Sequence, residues 1–441
     1  MAVAASATRR TFMKATTAAF GALVASGCRL DRPSAAAGDA RFYGALQPDP
    51  AGLLDLPPGF SYRVLSRLGE PMSDGGRVPD RADGMGCFAR ADGRLVLVRN
   101  HELSAHHDAG GRPAHGYARN AQGEVLPGGT TTLVLDPASL RVERQFRSLA
   151  GTIRNCAGGV TPWGSWLTCE EPGDEVLARE RAHGYVFEVP AAADTLVEAR
   201  PIKAMGRFNH EATCVDPATG IVYQTEDRDD GVIYRFIPRV RDRLHEGGRL
   251  QALAIDGPLR DSRNWVSPDL TVGRRLPVRW VDLDDVEAPR DDLRLRAAAA
   301  GALVVARGEG IHWGEDELYL CATSGGAARL GQVLRLRPGR GGAADTLDLF
   351  FESTSPAQFH YGDNLTVAPN GHLIVCEDQP GMVVDNHLRG ITPAGEAYAI
   401  GRLRMQTELA GACFSPDGAW LFVNAYSPTM TFAIQGPWTR S

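Results

Sequence analysis

Lysine is almost absent from this chain: Lys14 and Lys203 are the only two in 441 residues, so arginine carries nearly all the positive charge. The formal net charge is −6, which removes the basic footprint a nucleic-acid partner requires. No apolar run is long enough for a membrane span; residues 15–24 fall well short. The signatures GxxxxGK[ST], GxGxxG after a strand, HExxH and GxSxG are all missing, which removes the phosphate loop, the dinucleotide fold, the zinc protease and the serine hydrolase elbow. Ser324-Gly325-Gly326 has no nearby histidine to mark it as a nucleophile. Aromatics are scarce at 7%, whereas 50 glycines and 28 prolines suit a turn-rich all-β chain.

What is there is a repeat. A β-rich stretch, a turn on Gly or Asp-Gly and a second apolar strand recur as GCFARADGRLVLVRNHE (86–102), GGVTPWGSWLTCEE (158–171), ATCVDPATGIVYQTED (212–227), GIHWGEDELYLCATS (310–324), NLTVAPNGHLIVCED (364–378) and GACFSPDGAWLFVNAYS (411–427). Such a unit, repeated at this spacing, predicts an all-β, six-bladed β-propeller with one copy per blade. Blades are related by rotation about one axis, so side chains at equivalent places converge. Most second strands end on acids: Glu102, Glu170, Glu171, Glu226, Asp227, Glu377 and Asp378. A second set, Asp83, Cys156, Glu211, Glu309, Asp363 and Glu408, opens the first strands. In antiparallel neighbours the start of one strand and the end of the next share a rim, so both sets face one mouth. Converging carboxylates repel unless cations hold them, and an oxygen-rich site suits Ca²⁺, with Fe³⁺ or Mn²⁺ where a softer ligand joins.

Cys156 is either that softer ligand or a buried structural thiol. Cys87, Cys214 and Cys413 lie on first strands, and Cys169, Cys321 and Cys376 on second strands, as small core residues rather than a disulfide framework. His101 and His210 precede Glu102 and Glu211, so pleating turns them away from the axis if the acids face it. Arg307 shares parity with Glu309 and reads either as a phosphate-holding guanidinium or as a salt bridge to an acid. Asn155 and Asn364 read as neutral oxygen ligands or turn caps.

Thr8-Arg9-Arg10-Thr11-Phe12-Met13-Lys14 and the apolar run after it match a twin-arginine export signal over residues 1–28, a route for proteins that fold before crossing the membrane. Ala25-Ser26-Gly27-Cys28 resembles a lipobox, so Cys28 is either lipidated or removed with the signal. The expected partner during export is the twin-arginine translocase, and the expected location is periplasmic or extracellular. Residues 29–52 read as a tether and 53–441 as a single propeller domain. The stretch 59–66 is a spare strand that would complete the last blade. An insertion at 239–306, between the third and fourth repeats, holds an expected strand at 278–286 and a helix at 290–300. The loop at 104–129 carries His106, His107 and His115.

Asn100-His101-Glu102, NCAGGVTPWGSWLTCEE (155–171), GRFNHEA (206–212), Glu226-Asp227, Arg307 to Gly310, Asp363-Asn364, Glu408 to Gly411 and the closing Gly436-Pro437-Trp438 together resemble the PhoX family of exported alkaline phosphatases. The resemblance runs from about residue 100 to the end and is most specific at 155–171. It implies a propeller holding oxygen-bridged iron and calcium, and hydrolysis of phosphomonoesters outside the cytoplasm. Carried over by motif, the cysteine ligand is Cys156 and the acids are Glu170 or Glu171, Glu211, Glu226, Glu309, Glu377 and Glu408, with Arg307 near the phosphate. The fourth repeat departs from the pattern, ending Ala322-Thr323-Ser324 where most others end on acids. A calcium-dependent lactonase or sugar-acid hydrolase, which needs fewer acids and no thiol, and a non-catalytic interaction propeller are the alternatives; metal content separates them.

Overall fold

The computed structural model describes residues 42–173 and 182–439; the export signal, Cys28 and most of the tether lie outside the described residues. Strands dominate, and the one α-helix among the described residues is short, Leu293–Ala299. Leu95-Val96-Leu97-Val98 shows why the sequence folds this way. It reads as an unbroken apolar run because both faces of its sheet are buried: Val96 and Val98 pack towards Trp166 and Phe187, and Leu95 and Leu97 towards Phe422 and Ala433. The pattern repeats along the chain, and an apolar cluster fills each junction between successive antiparallel units.

Beside a two-stranded sheet of Gly231–Val232 with Val304–Val305, the described residues form five larger sheets: a four-stranded one over residues 82–152, a three-stranded one over 155–190, a nine-stranded one, a five-stranded one and a second four-stranded one. Their opening strands are Ala82–Ala89, Asn155–Val160, His210–Val215, Gly308–Trp313, Gly362–Val367 and Leu409–Phe414. Each is the side-by-side neighbour of the next in that order, and the last returns to the first. The arrangement is β-propeller-like. Ser61–Arg67 pairs antiparallel with Met430–Gln435, so the two ends of the domain share one sheet and protect its edge. Leu54–Asp55 extends the preceding sheet through Ala397–Leu403.

Two boundaries differ from the sequence expectation. Packing starts ahead of residue 53: the Phe42 ring lies tilted against Tyr398 at 4.6 Å, Tyr43 meets Phe60 at 5.0 Å, and Asp49 accepts hydrogen bonds from the Leu53 and Leu54 amides. The inserted segment also contributes three strands rather than one, Gly248–Ile255, Leu276–Asp282 and the two-residue Val304–Val305. Leu276–Asp282 pairs with both Gly248–Ile255 and Thr346–Glu352, merging what would be two sheets into the nine-stranded one.

Glycine sets how closely the opening strands approach. A Cβ on Gly159 would lie 2.0 Å from the Thr213 carbonyl oxygen and one on Gly84 2.5 Å from the Ala157 Cα. Gly159→Ala is therefore expected to lower stability by about 2–3 kcal/mol, because backbone rather than a flexible side chain must move. A melting temperature equal to that of the unaltered protein would show that the strands are not in this contact.

Candidate functional site

The site is built by a register device. In five units the opening strand pairs regularly at its first residue, then skips: Ala82 with His101 but Met85 with Arg99, Asn155 with Glu170 but Gly158 with Thr168, and likewise between His210 and Thr213, Gly308 and Ile311, and Gly362 and Leu365. Each skip is a β-bulge, in which two residues oppose one and the strand is re-aimed. The first bulged residues are Asp83, Cys156, Glu211, Glu309 and Asp363. The residue after each is small, Gly84, Ala157, Ala212 and Gly310, or the hydrogen-bonded Asn364. A Cβ on Gly310 would stand 2.7 Å from the Asn364 Cα, so smallness here lets neighbouring strands close in and their bulged side chains meet.

A second row comes from the ends of the partner strands. Backbone amides of Glu102, Glu171, Asp227 and Asp378 donate to the carbonyls of Arg81, Arg154, Asn209 and Tyr361, at 2.9, 2.9, 3.2 and 2.9 Å. Their chain neighbours Glu170, Glu226 and Glu377 face the other way, which corrects the expectation that these three join the cluster. Glu170 accepts from the Ile153, Gly184 and Tyr185 amides and lies 2.6 Å from His183 Nδ1. Glu226 accepts from the Tyr234 hydroxyl at 2.8 Å, and burial pushes its carboxyl up to about 8. Glu377 accepts from the His360 and His387 amides and from Arg389 Nε; burial pushes its carboxyl up, but Arg389 and His387 together outweigh that and hold it below the usual carboxylate range. His101 and His210 likewise face away from the cluster, to the Asp80 and Gly184 carbonyls, where burial makes each less basic.

Three overlapping groups result, each with ligand atoms within 4.8 Å of one another: Asp83, Glu102 and Cys156; Cys156, Glu171 and Glu211; Glu211, Glu309 and Asp363. Two like charges at 4.8 Å repel by about 3 kcal/mol at an effective dielectric near 20, so without cations the clustered acids cannot all ionise together. Burial, then the neighbouring carboxylates, drives Asp83, Glu211 and Glu309 well above the usual range and Asp363 up to about 7. Burial raises the Cys156 thiol too, reinforced by Asp83 and Glu211. Glu211 is 1% exposed, and both its carboxylate oxygens are buried without a hydrogen-bond partner among the described residues. A shared carboxylate left with nothing to accept from, inside a group of oxygen donors and one thiol, fits a centre of hard cations with a softer one.

Glu408 is placed differently from the expectation. Its carbonyl accepts from the Tyr426 amide, the bond that Arg81 and Arg154 make in their units, so Glu408 precedes its strand, and the last bulge holds Gly411 and Ala412. Its carboxyl shares a hydrogen bond with Asp378, and burial and that partner raise its pKa. Asn155 accepts from the Thr152 hydroxyl of the preceding sheet and donates to Thr168 in its own. Asn364 accepts from the Gly411 amide and donates to Asp363.

Arginines reach over the acids. Arg307 donates to Asp227 Oδ1 at 2.7 Å and to Glu309 Oε1 at 2.8 Å. Arg154 lies 2.7 Å from Glu102 Oε1 and 2.5 Å from Glu171 Oε2, and Arg81 donates to the Tyr426 hydroxyl, which donates to Glu102. Sequence reasoning missed Arg154, Arg81 and Tyr426. Its signal was there: Arg81-Ala82-Asp83, Arg154-Asn155-Cys156 and Arg307-Gly308-Glu309 are one Arg-X-ligand pattern.

A propeller-like fold that gathers six carboxylates and a thiol beneath paired arginines defines a metal-dependent hydrolase of anionic substrates. The profile described as "Alkaline phosphatase PhoX" matches residues 41–142 and 134–429, and the chain belongs to that family; it is a metal-dependent phosphatase. Among solved structures it is similar to the Pseudomonas fluorescens PhoX in complex with vanadate, a transition-state analogue, at 19% identity and a TM-score of 0.69, over 87% of this chain and 96% of that one. That likeness shows the fold. A gluconolactonase of Xanthomonas campestris aligns over 90% of this chain and 99% of its own at 16% identity, with a TM-score of only 0.40. No curated protein sequence matches the chain.

The raised acids generate a pH dependence with a definite sign. Asp363 binds its proton more tightly folded than unfolded, so stability of metal-free protein falls as pH rises from about 4 through about 7. The loss is about 1.4 kcal/mol per pH unit for each group that must ionise. Melting curves of chelated protein should therefore be highest on the acid side, and cations that claim the carboxylates should abolish the decline. Glu211→Gln removes the shared anion and is expected to lower metal content, read by elemental analysis.

Proposed function

We propose that the protein is a six-bladed β-propeller exported by the twin-arginine route, which hydrolyses phosphomonoesters in the periplasm or outside the cell with Ca²⁺ and Fe³⁺. The closed order of opening strands supports six blades. The Arg9-Arg10 signal supports export, and Cys28 supports a lipid anchor at the membrane. The observation that carries the chemistry is Glu211, orphaned between two groups, one with Cys156 and one with Glu309 and Asp363.

Asp83, Glu102, Cys156, Glu171, Glu211, Glu309 and Asp363 would hold the cations, the thiolate favouring iron and the carboxylates calcium. Bound cations supply charge neutralisation on the phosphoryl oxygens and a more acidic water as nucleophile. The protein's own part is orientation. The Arg307 side chain is 27% exposed, so it reaches from the buried acids towards solvent, where an incoming phosphate dianion meets it. Its guanidinium is a planar fork suited to two phosphoryl oxygens, and Asp227 and Glu309 fix its plane. Burial of Glu309 beneath it strengthens that hold by excluding water.

The test is hydrolysis of p-nitrophenyl phosphate by protein loaded with calcium and iron, where activity on lactones but not phosphomonoesters would overturn the reading. Glu309→Gln should lose metal and stability together. Arg307→Ala should keep its metals yet turn over about 100-fold or more slowly, with weaker inhibition by phosphate; normal rate and inhibition would make Arg307 only a salt bridge. Replacing Arg9 and Arg10 by lysine should leave the precursor in the cytoplasm, read by cell fractionation.

A further inference from the structure

Arg154 and Arg307 hold the same register position, one residue before an opening strand, with left-handed φ of 45° and 49°. Each ties its own unit to an acid of the unit before: Arg154 to Glu102, Arg307 to Asp227. Each also reaches a second acid, Glu171 or Glu309. The Glu171 and Asp227 carboxyl groups share a hydrogen bond, so the run Arg154, Glu171, Asp227, Arg307 is continuous, and only a carboxyl pair separates the two guanidinium groups. A strut across the seam does not require arginine. At the equivalent place between them, Asn209 does that work without charge, its Nδ2 donating to Glu171 Oε1 at 2.7 Å and to the Asp227 carbonyl at 3.1 Å.

We propose that Arg154 is a second phosphoryl-holding arginine, which binds the same anion as Arg307 from the other end of this run. The proposal rests on the phosphatase reading above. Glu102 and Glu171, which hold Arg154 here, are members of the two cation-type groups around Cys156. Cations that claim those oxygens take away the arginine's counter-charge, and a guanidinium beside cations needs a new anion. A phosphate dianion supplies oxygens to both forks. The side chain of Arg154 is 34% exposed, so it is reachable from solvent.

Two measurements on full-length protein loaded with calcium and iron test this. In Arg154→Ala, inhibition by inorganic phosphate should weaken about 10- to 100-fold, the range for losing hydrogen bonds to a charged group, while elemental analysis finds the wild-type metal content. Wild-type phosphate inhibition in that variant would overturn the proposal. Should the variant lose metal or fail to fold, the unaltered protein decides. Arginine modification by phenylglyoxal, mapped by mass spectrometry, should slow at Arg154 when phosphate is present. Equal modification with and without phosphate would show a strut. Wild-type protein that neither hydrolyses phosphomonoesters nor binds phosphate sinks both readings; Arg307 protected and Arg154 unprotected sinks only this one.

Discussion

The structure depends on mutual repulsion among buried anions. Six carboxylates and a thiol, their ligand atoms grouped within 4.8 Å, cannot all ionise unless positive charge arrives. Everything around them limits that cost in some way. The β-bulges place one such group in each of five units, the small residues behind the bulges let strands approach, and arginines lie over the acids as resident cations. Stability given up at the axis is recovered at the periphery. An apolar cluster at each junction between units holds the strands in register whatever the charge state at the centre.

That division explains what was legible in the sequence. Repeats, strand pairs and the rim that collects the acids follow from period and composition, because an apolar strand beside a Gly turn reads the same in each unit. Parity at the strand ends was not legible. Glu170-Glu171 and Glu226-Asp227 offer adjacent acids, and only the backbone bonds from Glu171 to Arg154 and from Asp227 to Asn209 decide which of each pair faces the cluster. Asp378 takes that place beside Glu377 in the same way. The bulges are equally silent in sequence, since a skipped residue has no required composition. Glu408 was misplaced for that reason: its unit bulges at Gly411, farther along the strand than in the other five.

The inserted segment failed differently. Gly248–Ile255 carries Leu250, Ala252, Leu253, Ala254 and Ile255 on buried positions but sits in an inserted stretch where only 278–286 reads as a strand. It is a strand because Tyr234–Pro238 offers an open edge beside it and Leu276–Asp282 covers its other side. A propensity too weak to announce itself is decided by the edges available to it.

The departures from rotational equivalence say most about use. Thr323 stands where other units carry an acid; its amide donates to the Arg307 carbonyl, and its hydroxyl donates to the Gly362 carbonyl, away from the cluster. Arg307 therefore has no acid of its own unit in the second row and turns to Glu309 in the first. Tyr426 likewise replaces an acid at the other break and places a neutral donor on Glu102. The acids thus form an arc with neutral hydroxyl residues at two places, not a uniform ring. A uniform ring of anions would repel an anionic substrate from every side. An arc whose charge is met by cations, with arginines over it and neutral gaps beside them, leaves approaches along which a phosphate dianion meets attraction first.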